Sequence, residues 1–434
     1  MKMKLGHWWQ STRSSFWFVP ALIVLGAIAL ASALIAVDAT GDLKVVQKLP
    51  MLFGAGAAGA RGLLSVVAGS MVTVAGVVFS ITLVALSLTS SQYTSRVLRN
   101  FMSDRINQVV LGVFVGIFAY CLVVLRTIRG GDEGAFVPSL AVLGALILAF
   151  VGIAFLIYFI HHIAIAIQAS SIIAAAAAET LATVNRLFPE DLTVDAGESD
   201  ASDIASHPEL TWMAVPSRRS GYVESIDESS LLKVAEQCGC VLRMERGIGE
   251  FVAEGMPLVS VAGAVGLDEK TPAMLRDIYV IRRQRTLRQD AGFGIRQIVD
   301  IAMRALSPGI NDSTTAAMCV DYLGAILARL ASRRISASGR VDDGKLRVIT
   351  RGPRFERLLG EAFDQIRLNA EGNLAILLGQ LRALETVALM TANLRRREAI
   401  RGQVDLIGAA ARRAVVSQHD GAEVEALLMR LSIG

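Results

Sequence analysis

The residues best equipped for chemistry fall between Arg282 and Thr315. There Arg285, Arg288 and Arg304 accompany Asp290 and Asp300, and the run D-I-A-M-R-A-L-S-P-G-I-N-D-S-T-T-A begins at Asp300. Guanidinium groups beside the free amides of a helix start suit an anion such as a phosphate or a lipid headgroup. On that reading Arg285, Arg288, Arg304, Asn311, Asp312 and Thr314 form a candidate anion or partner site. The same residues have an architectural reading. Ser307, Pro308 and Gly309 stop one helix, Asn311 or Asp312 caps the next with Thr314 and Thr315 in its first turn, and Asp300 and Arg304 stand one turn apart.

Catalysis finds little to work with. The chain has no G-x-S-x-G, no Walker loop, no H-E-x-x-H and no cluster of histidines, so the sequence points to no enzyme, no cofactor and no metal centre. Arginines crowd Asp290, Asp300 and Asp312, which makes ion pairing the commoner use of these carboxylates. Cys238 and Cys240 form a C-G-C without the second pair that a tetrahedral site needs. The basic run RRREAIR at 395–401 lacks aromatic company and reads as a solvated helix end, not a nucleic-acid surface.

A second polar pattern lies inside an apolar helix. Gly62, Gly69 and Gly76 repeat every seven residues, and Thr73, Ser80, Ser87 and Thr94 repeat at the same interval. The face carrying Gly69, Thr73, Gly76, Ser80 and Ser87 either packs closely against another helix, because small residues let backbones approach, or lines a wet path or oligomeric axis. His161 and His162 follow Tyr158 and Phe159 at the end of another apolar run, where imidazoles could sense pH or bind metal. Adjacent helical residues point apart, so they make no chelate and read as interfacial anchors.

The elements that must position these residues are membrane helices and a folded polar region. Apolar runs at about 16–37, 63–88, 107–125 and 137–160 match the roughly 20 residues needed to cross a hydrocarbon core of about 30 Å. The apolar share of 53% belongs with such a chain. The expected fold is an α-helical integral membrane protein with four transmembrane helices plus a cytosolic α+β region. Its parts are a transmembrane domain at 1–170, an extension of the fourth helix at 171–188, an acidic linker at 189–210, a small β subdomain at 211–265 and a helical domain at 266–434. The linker follows from seven acids without Lys or Arg between Pro189 and Glu209. Lys2, Lys4 and Arg13 precede the first span, and Arg96, Arg99 and Arg105 separate the second from the third, which puts both termini on the cytoplasmic side. Trp8, Trp9 and Trp17 mark that boundary. Expected partners are membrane lipids, further copies of the chain and an anionic ligand.

Four phrases together resemble one family: SSQYTSRVLRNFMSDRINQVVLG from Ser90, FIHHIAIAIQ from Phe159, GYVESID from Gly221 and RTLRQDAGFGIRQIVDIAMRALSPGINDSTTA from Arg285. They are similar to the bacterial domain-of-unknown-function 2254 family, with departures at Ser95 and Ser313, where that pattern commonly has proline. The resemblance implies a multispan bacterial inner-membrane protein with a cytosolic domain. It brings no activity and no catalytic residues.

From these readings the expected function is a homo-oligomeric channel or transport-like protein regulated by its cytosolic domain. The alternative is a membrane-anchored sensor or scaffold that binds an anion or partner through Arg285–Thr315.

Overall fold

The computed structural model describes residues 17–40, 56–92, 104–130, 136–190, 211–263, 270–335, 339–342 and 345–433. The acidic linker expected at 189–210 lies outside these apart from Pro189 and Glu190, as do Trp8, Trp9 and the arginines at 96 and 99. The chain divides into two compact units, 1–168 and 169–434.

The first unit contains α1 (Phe18–Ala39), α2 (Ala57–Gln92), α3 (Arg105–Thr127) and α4 (Ser139–Ala166). Helix α3 is central and packs against the other three. Two glycines permit its close approach to α1: a β-carbon on Gly112 would lie 2.8 Å from Ile23 Cδ1 and 2.9 Å from Pro20 Cα, and one on Gly116 would lie 3.4 Å from Ala27 Cβ. Val110, Phe114, Ile117, Tyr120, Cys121 and Val124 form the buried side of α3. Large apolar side chains such as Leu25, Val66, Phe79, Phe150 and Ile157 point outward, an arrangement suited to lipid and costly in water.

Polar groups close one end of this bundle. The Asp38 carboxylate accepts hydrogen bonds from the amides of Leu140 (3.2 Å) and Ala141 (3.1 Å), satisfying donors that every helix start leaves free. Arg61 donates to the carbonyl of Ile128 at 2.8 Å, and Tyr120 donates its hydroxyl to that of Ala141 at 2.8 Å.

The second unit begins with α5 (Ala169–Leu187) and continues through β1 (Trp212–Pro216), β2 (Gly221–Ile226), α6 (Glu228–Cys238), β3 (Val241–Met244), β4 (Phe251–Val252) and β5 (Pro257–Ala262). Next come α7 (Thr271–Ile278), β6 (Tyr279–Arg282), α8 (Ala291–Ala305), α9 (Ser313–Ala331), β7 (Gly339–Asp342) and β8 (Lys345–Ile349). Helices α10 (Phe355–Asn369), α11 (Leu374–Leu389), α12 (Leu394–Ala414) and α13 (Gln418–Ile433) complete it. One sheet has the order β1-β5-β3-β8-β7 and a second the order β4-β2-β6. All pairings are antiparallel except β3 with β8. The sheets share a core built from Val223, Leu231, Leu242, Val252, Val261, Leu275 and Val348.

Three features differ from the expectations. First, strands extend beyond 211–265, because β6, β7 and β8 come from the stretch expected to be helical; pairing partners distant in sequence leave no local mark. Second, the helix expected to run on past the fourth span stops at Ala166 and restarts at Ala169. The Gln168 amide bonds the Ile165 carbonyl at 3.1 Å, a tight turn that ends the ladder without glycine or proline.

Third, among the described residues five helices are long and apolar enough to cross a membrane: α1, the 57–88 stretch of α2, α3, α4 and also α9. Helix α9 is apolar because it packs against α5, α8 and α11, burying Cys319, Leu323, Ile326, Leu327 and Leu330.

Candidate functional site

The segment Arg285–Asp290 is held from several sides. Arg285 grips Asp290 with two parallel hydrogen bonds, Nε to Oδ2 at 2.8 Å and Nη2 to Oδ1 at 3.1 Å, and its Nη1 lies 4.0 Å from Glu361 Oε1 on α10. Asp290 also caps α8, accepting from the amide of Phe293 at 3.0 Å. The ring of Phe293 lies under the guanidinium at 5.5 Å. Backbone around the pair is tied to other elements: Thr183 donates to the Leu287 carbonyl (3.2 Å), Arg186 to that of Arg288 (2.7 Å), and the Ile226 amide to Gln289 Oε1 (3.0 Å). Thr286 donates to Glu224 at 3.1 Å.

Electrostatics follow from this geometry. Burial disfavours the charge of Arg285, but the hydrogen bonds and attraction of Asp290, with Glu361 behind, outweigh it and raise its affinity for the proton. Burial pushes the Glu361 carboxyl up; Asp290 adds to the rise and Arg285 opposes it. Gly249 completes the clasp at a φ of +80°, where a side chain would run into Asp290 Oδ2.

At the far end of α8 the run Ser307–Thr315 forms a turn and a cap. Ile310 and Asn311 bond back to the Ser307 carbonyl, Asn311 takes a left-handed φ of 50°, and the Asp312 amide reaches the Ala305 carbonyl at 2.8 Å. Asp312 is the N-cap of α9, accepting from the Thr315 amide (3.0 Å) and hydroxyl (2.6 Å). The Thr315 hydroxyl, then the Thr315 amide, hold its carboxyl below the usual range. Asp300 accepts from Arg296 at 2.8 Å, one turn before it.

The six residues of the candidate anion or partner site therefore fall into two groups. Arg285 and Arg288 precede α8, whereas Arg304, Asn311, Asp312 and Thr314 cluster around its end. A helix of 15 residues separates them by about 22 Å. Arg285 is occupied by carboxylates, while Arg288, Arg304, Asn311 and Thr314 are exposed. Glu361, Gly249 and Glu224 belong to the clasp but give no sequence signal, since they stand far along the chain from their partners. Cys240 is buried and Cys238 partly so, and burial pushes the Cys240 thiol up to about 11, which suits a packed thiol better than a thiolate ligand. Among the described residues no cluster of His, Cys, Asp and Glu could hold a metal ion.

The small-residue face of α2 lies on the outside of the first unit. Ala60, Leu64, Ala68, Met71, Ala75, Val78, Thr82 and Ala85 make the buried stripe that meets α3 and α4. Gly69, Thr73, Gly76, Ser80 and Ser87 are all exposed. A β-carbon on Gly62, Gly69 or Gly76 would meet nothing within 4 Å. The Thr73 hydroxyl bonds the Gly69 carbonyl at 2.8 Å within its own helix.

A family model described as predicted membrane protein (DUF2254) matches residues 13–386. Uncharacterised proteins of Mycobacterium bovis and Mycobacterium tuberculosis are 36% identical over 423 residues, covering 95% of this chain and 79% of each relative. No solved structure matches the chain significantly.

Proposed function

The chain belongs to the DUF2254 family of predicted membrane proteins, and we propose that it is a homo-oligomeric, channel-like or transport-like protein of the bacterial plasma membrane, with α1 to α4 as its four spans. Helix α9 is then the central helix of the water-facing domain, an assignment supported by Asp321 and Arg329 within it and by its apolar contacts inside the second unit. Basic residues before the first span and between the second and third support termini in the cytosol.

One observation carries the assembly: the exposed face of α2. Buried glycines are explained by packing, but a β-carbon on Gly69 or Gly76 would meet nothing within 4 Å among the described residues. A lone lipid-facing helix has no use for regularly spaced small residues, whereas a helix meeting its own copies gains contact from them. Hydroxyls at Thr73, Ser80 and Ser87 give the same face the polarity of a wet axis.

Cryo-electron microscopy of the protein in nanodiscs tests this reading. The expected result is a ring with α2 around a continuous hydrated path, after which currents across bilayers should respond to Ser80→Leu. A monomer, or a dimer with a dry α2 interface, overturns the channel.

The sensor or scaffold alternative draws on the exposed Arg304, Asn311 and Thr314 at the end of α8. It is weakened by the engagement of Arg285 with Asp290 and Glu361.

A further inference from the structure

Where α10 and α12 begin side by side they enclose an open cleft of about 400 Å³, within the range of about 300–1,000 Å³ usual for small-molecule sites. Arg354, Glu356 and Arg357 line it from the start of α10, and Arg395, Glu398 and Ala399 from the start of α12. The two walls are fixed from beneath. Arg396 is 3% exposed, donates to the carbonyls of Ala331 (3.0 Å) and Arg333 (2.9 Å), and sets its guanidinium over the Phe355 ring at 5.6 Å.

The charges on the lining are only loosely answered from within. Arg354 is exposed and has no ion-pair partner among the described residues. Arg357 shares Glu250 with Arg351, at 3.4 Å against 3.0 Å. Arg395 Nε stands 3.7 Å from Glu356 Oε1, beyond hydrogen-bond reach, and that buried oxygen has no hydrogen-bond partner among the described residues. A buried acceptor without a donor is costly, so a ligand that supplies one gains by it.

Three guanidiniums and two carboxylates leave the lining with one positive charge in excess. A bare anion would face Glu356 and Glu398, and a bare cation would face the arginines. A phosphate bearing a primary ammonium answers both. Its phosphate oxygens accept from guanidinium forks, for which the two oxygens of a carboxylate are too few. Its ammonium donates to Glu356 Oε1, which a quaternary ammonium, having no N–H, cannot do. A phosphomonoester carries about −1.5 to −2 at neutral pH, so with one ammonium its net charge is near −1 and complements the lining. We infer that this cleft binds a phosphate-bearing primary amine, met either as a free solute or as a lipid headgroup.

Calorimetric titration of the full chain in detergent tests the inference with O-phosphoethanolamine, phosphocholine and inorganic phosphate as probes. Phosphoethanolamine should bind saturably and about tenfold more tightly than the other two, the difference expected for one charged hydrogen bond. Arg354→Ala should weaken phosphoethanolamine and phosphate alike by about tenfold while keeping the denaturation midpoint. Glu356→Gln should weaken phosphoethanolamine by about tenfold and leave phosphate unchanged. Native mass spectrometry of the full chain with equal amounts of phosphatidylethanolamine, phosphatidylglycerol and phosphatidylcholine separates the sources: selective retention of the first, lost in Arg354→Ala, identifies a lipid headgroup, and soluble binding without lipid retention identifies a free solute. The inference is overturned if phosphate or phosphocholine binds as tightly as phosphoethanolamine, if both variants keep wild-type affinity, or if neither saturable binding nor selective lipid retention is seen.

Discussion

Among single residues, Arg285 carries the largest consequence. Removing it leaves the buried Asp290 and the part-buried Glu361 without their cation, and since breaking a fully buried pair costs about 3–5 kcal/mol, the loss at this part-buried one should reach up to about 3 kcal/mol. Arg285→Met should therefore lower the denaturation midpoint of the full chain sharply, while Arg304→Ala, at an exposed position, should stay within about 0.5 kcal/mol of wild type. Equal effects would mean that the pair is not the clasp described here. Glu361 gives a pH signature of definite sign. Its carboxyl is raised in the folded state, so its contribution is fully favourable below the ordinary carboxylate range and is lost as pH rises through the raised value. Glu361→Gln should flatten that decline, measured as midpoint against pH. At this scale the sequence discloses local partners and hides distant ones. The Asp312 cap is legible because it lies within three residues of the amide it serves, but nothing in the sequence links Arg285 to Glu361, or Asp104 to the His162 ring that it meets at 2.6 Å.

Between elements, the deciding feature is how closely helices approach. At Gly294 on α8, a β-carbon would collide with the Thr180 hydroxyl of α5 and come within 2.8 Å of Leu287 Cδ2. Gly294→Ala should cost about 1–3 kcal/mol through overpacking, whereas Gly309→Ala, in open space at the exposed turn after α8, should cost much less. A smaller penalty at 294 than at 309 would show that α5 and α8 do not meet as described. Apolar runs disclose α1 to α4 because length and hydropathy are local properties. Strand pairing is not local: β8 pairs in parallel with β3 across about a hundred residues, so the sheets cannot be confined to 211–265 from sequence alone. The stop at Ala166 is equally silent, since strong helix formers lie on both sides of it.

For the whole molecule, the question is what covers α2. The helix has 36 residues, about 54 Å at the usual rise, so it exceeds a hydrocarbon core of about 30 Å and must tilt or project beyond it. Its buried stripe is complete without the glycines, which makes the outer face a separable feature: substitutions there change surroundings and leave internal packing alone. Gly69→Leu and Gly76→Leu should keep the denaturation midpoint of the isolated protomer in detergent within about 0.5 kcal/mol of wild type, yet reduce the oligomer to smaller species in native mass spectrometry from nanodiscs. Ala68→Leu and Ala75→Leu, on the buried stripe against α3 and α4, should do the reverse, destabilising the protomer by about 1–3 kcal/mol. The sequence displays both alanines and glycines as one set of small residues; only the fold separates the stripe that builds the protomer from the stripe left for another copy. If all four substitutions act alike on protomer stability, the two stripes are one packing surface and the assembly proposed from α2 loses its support.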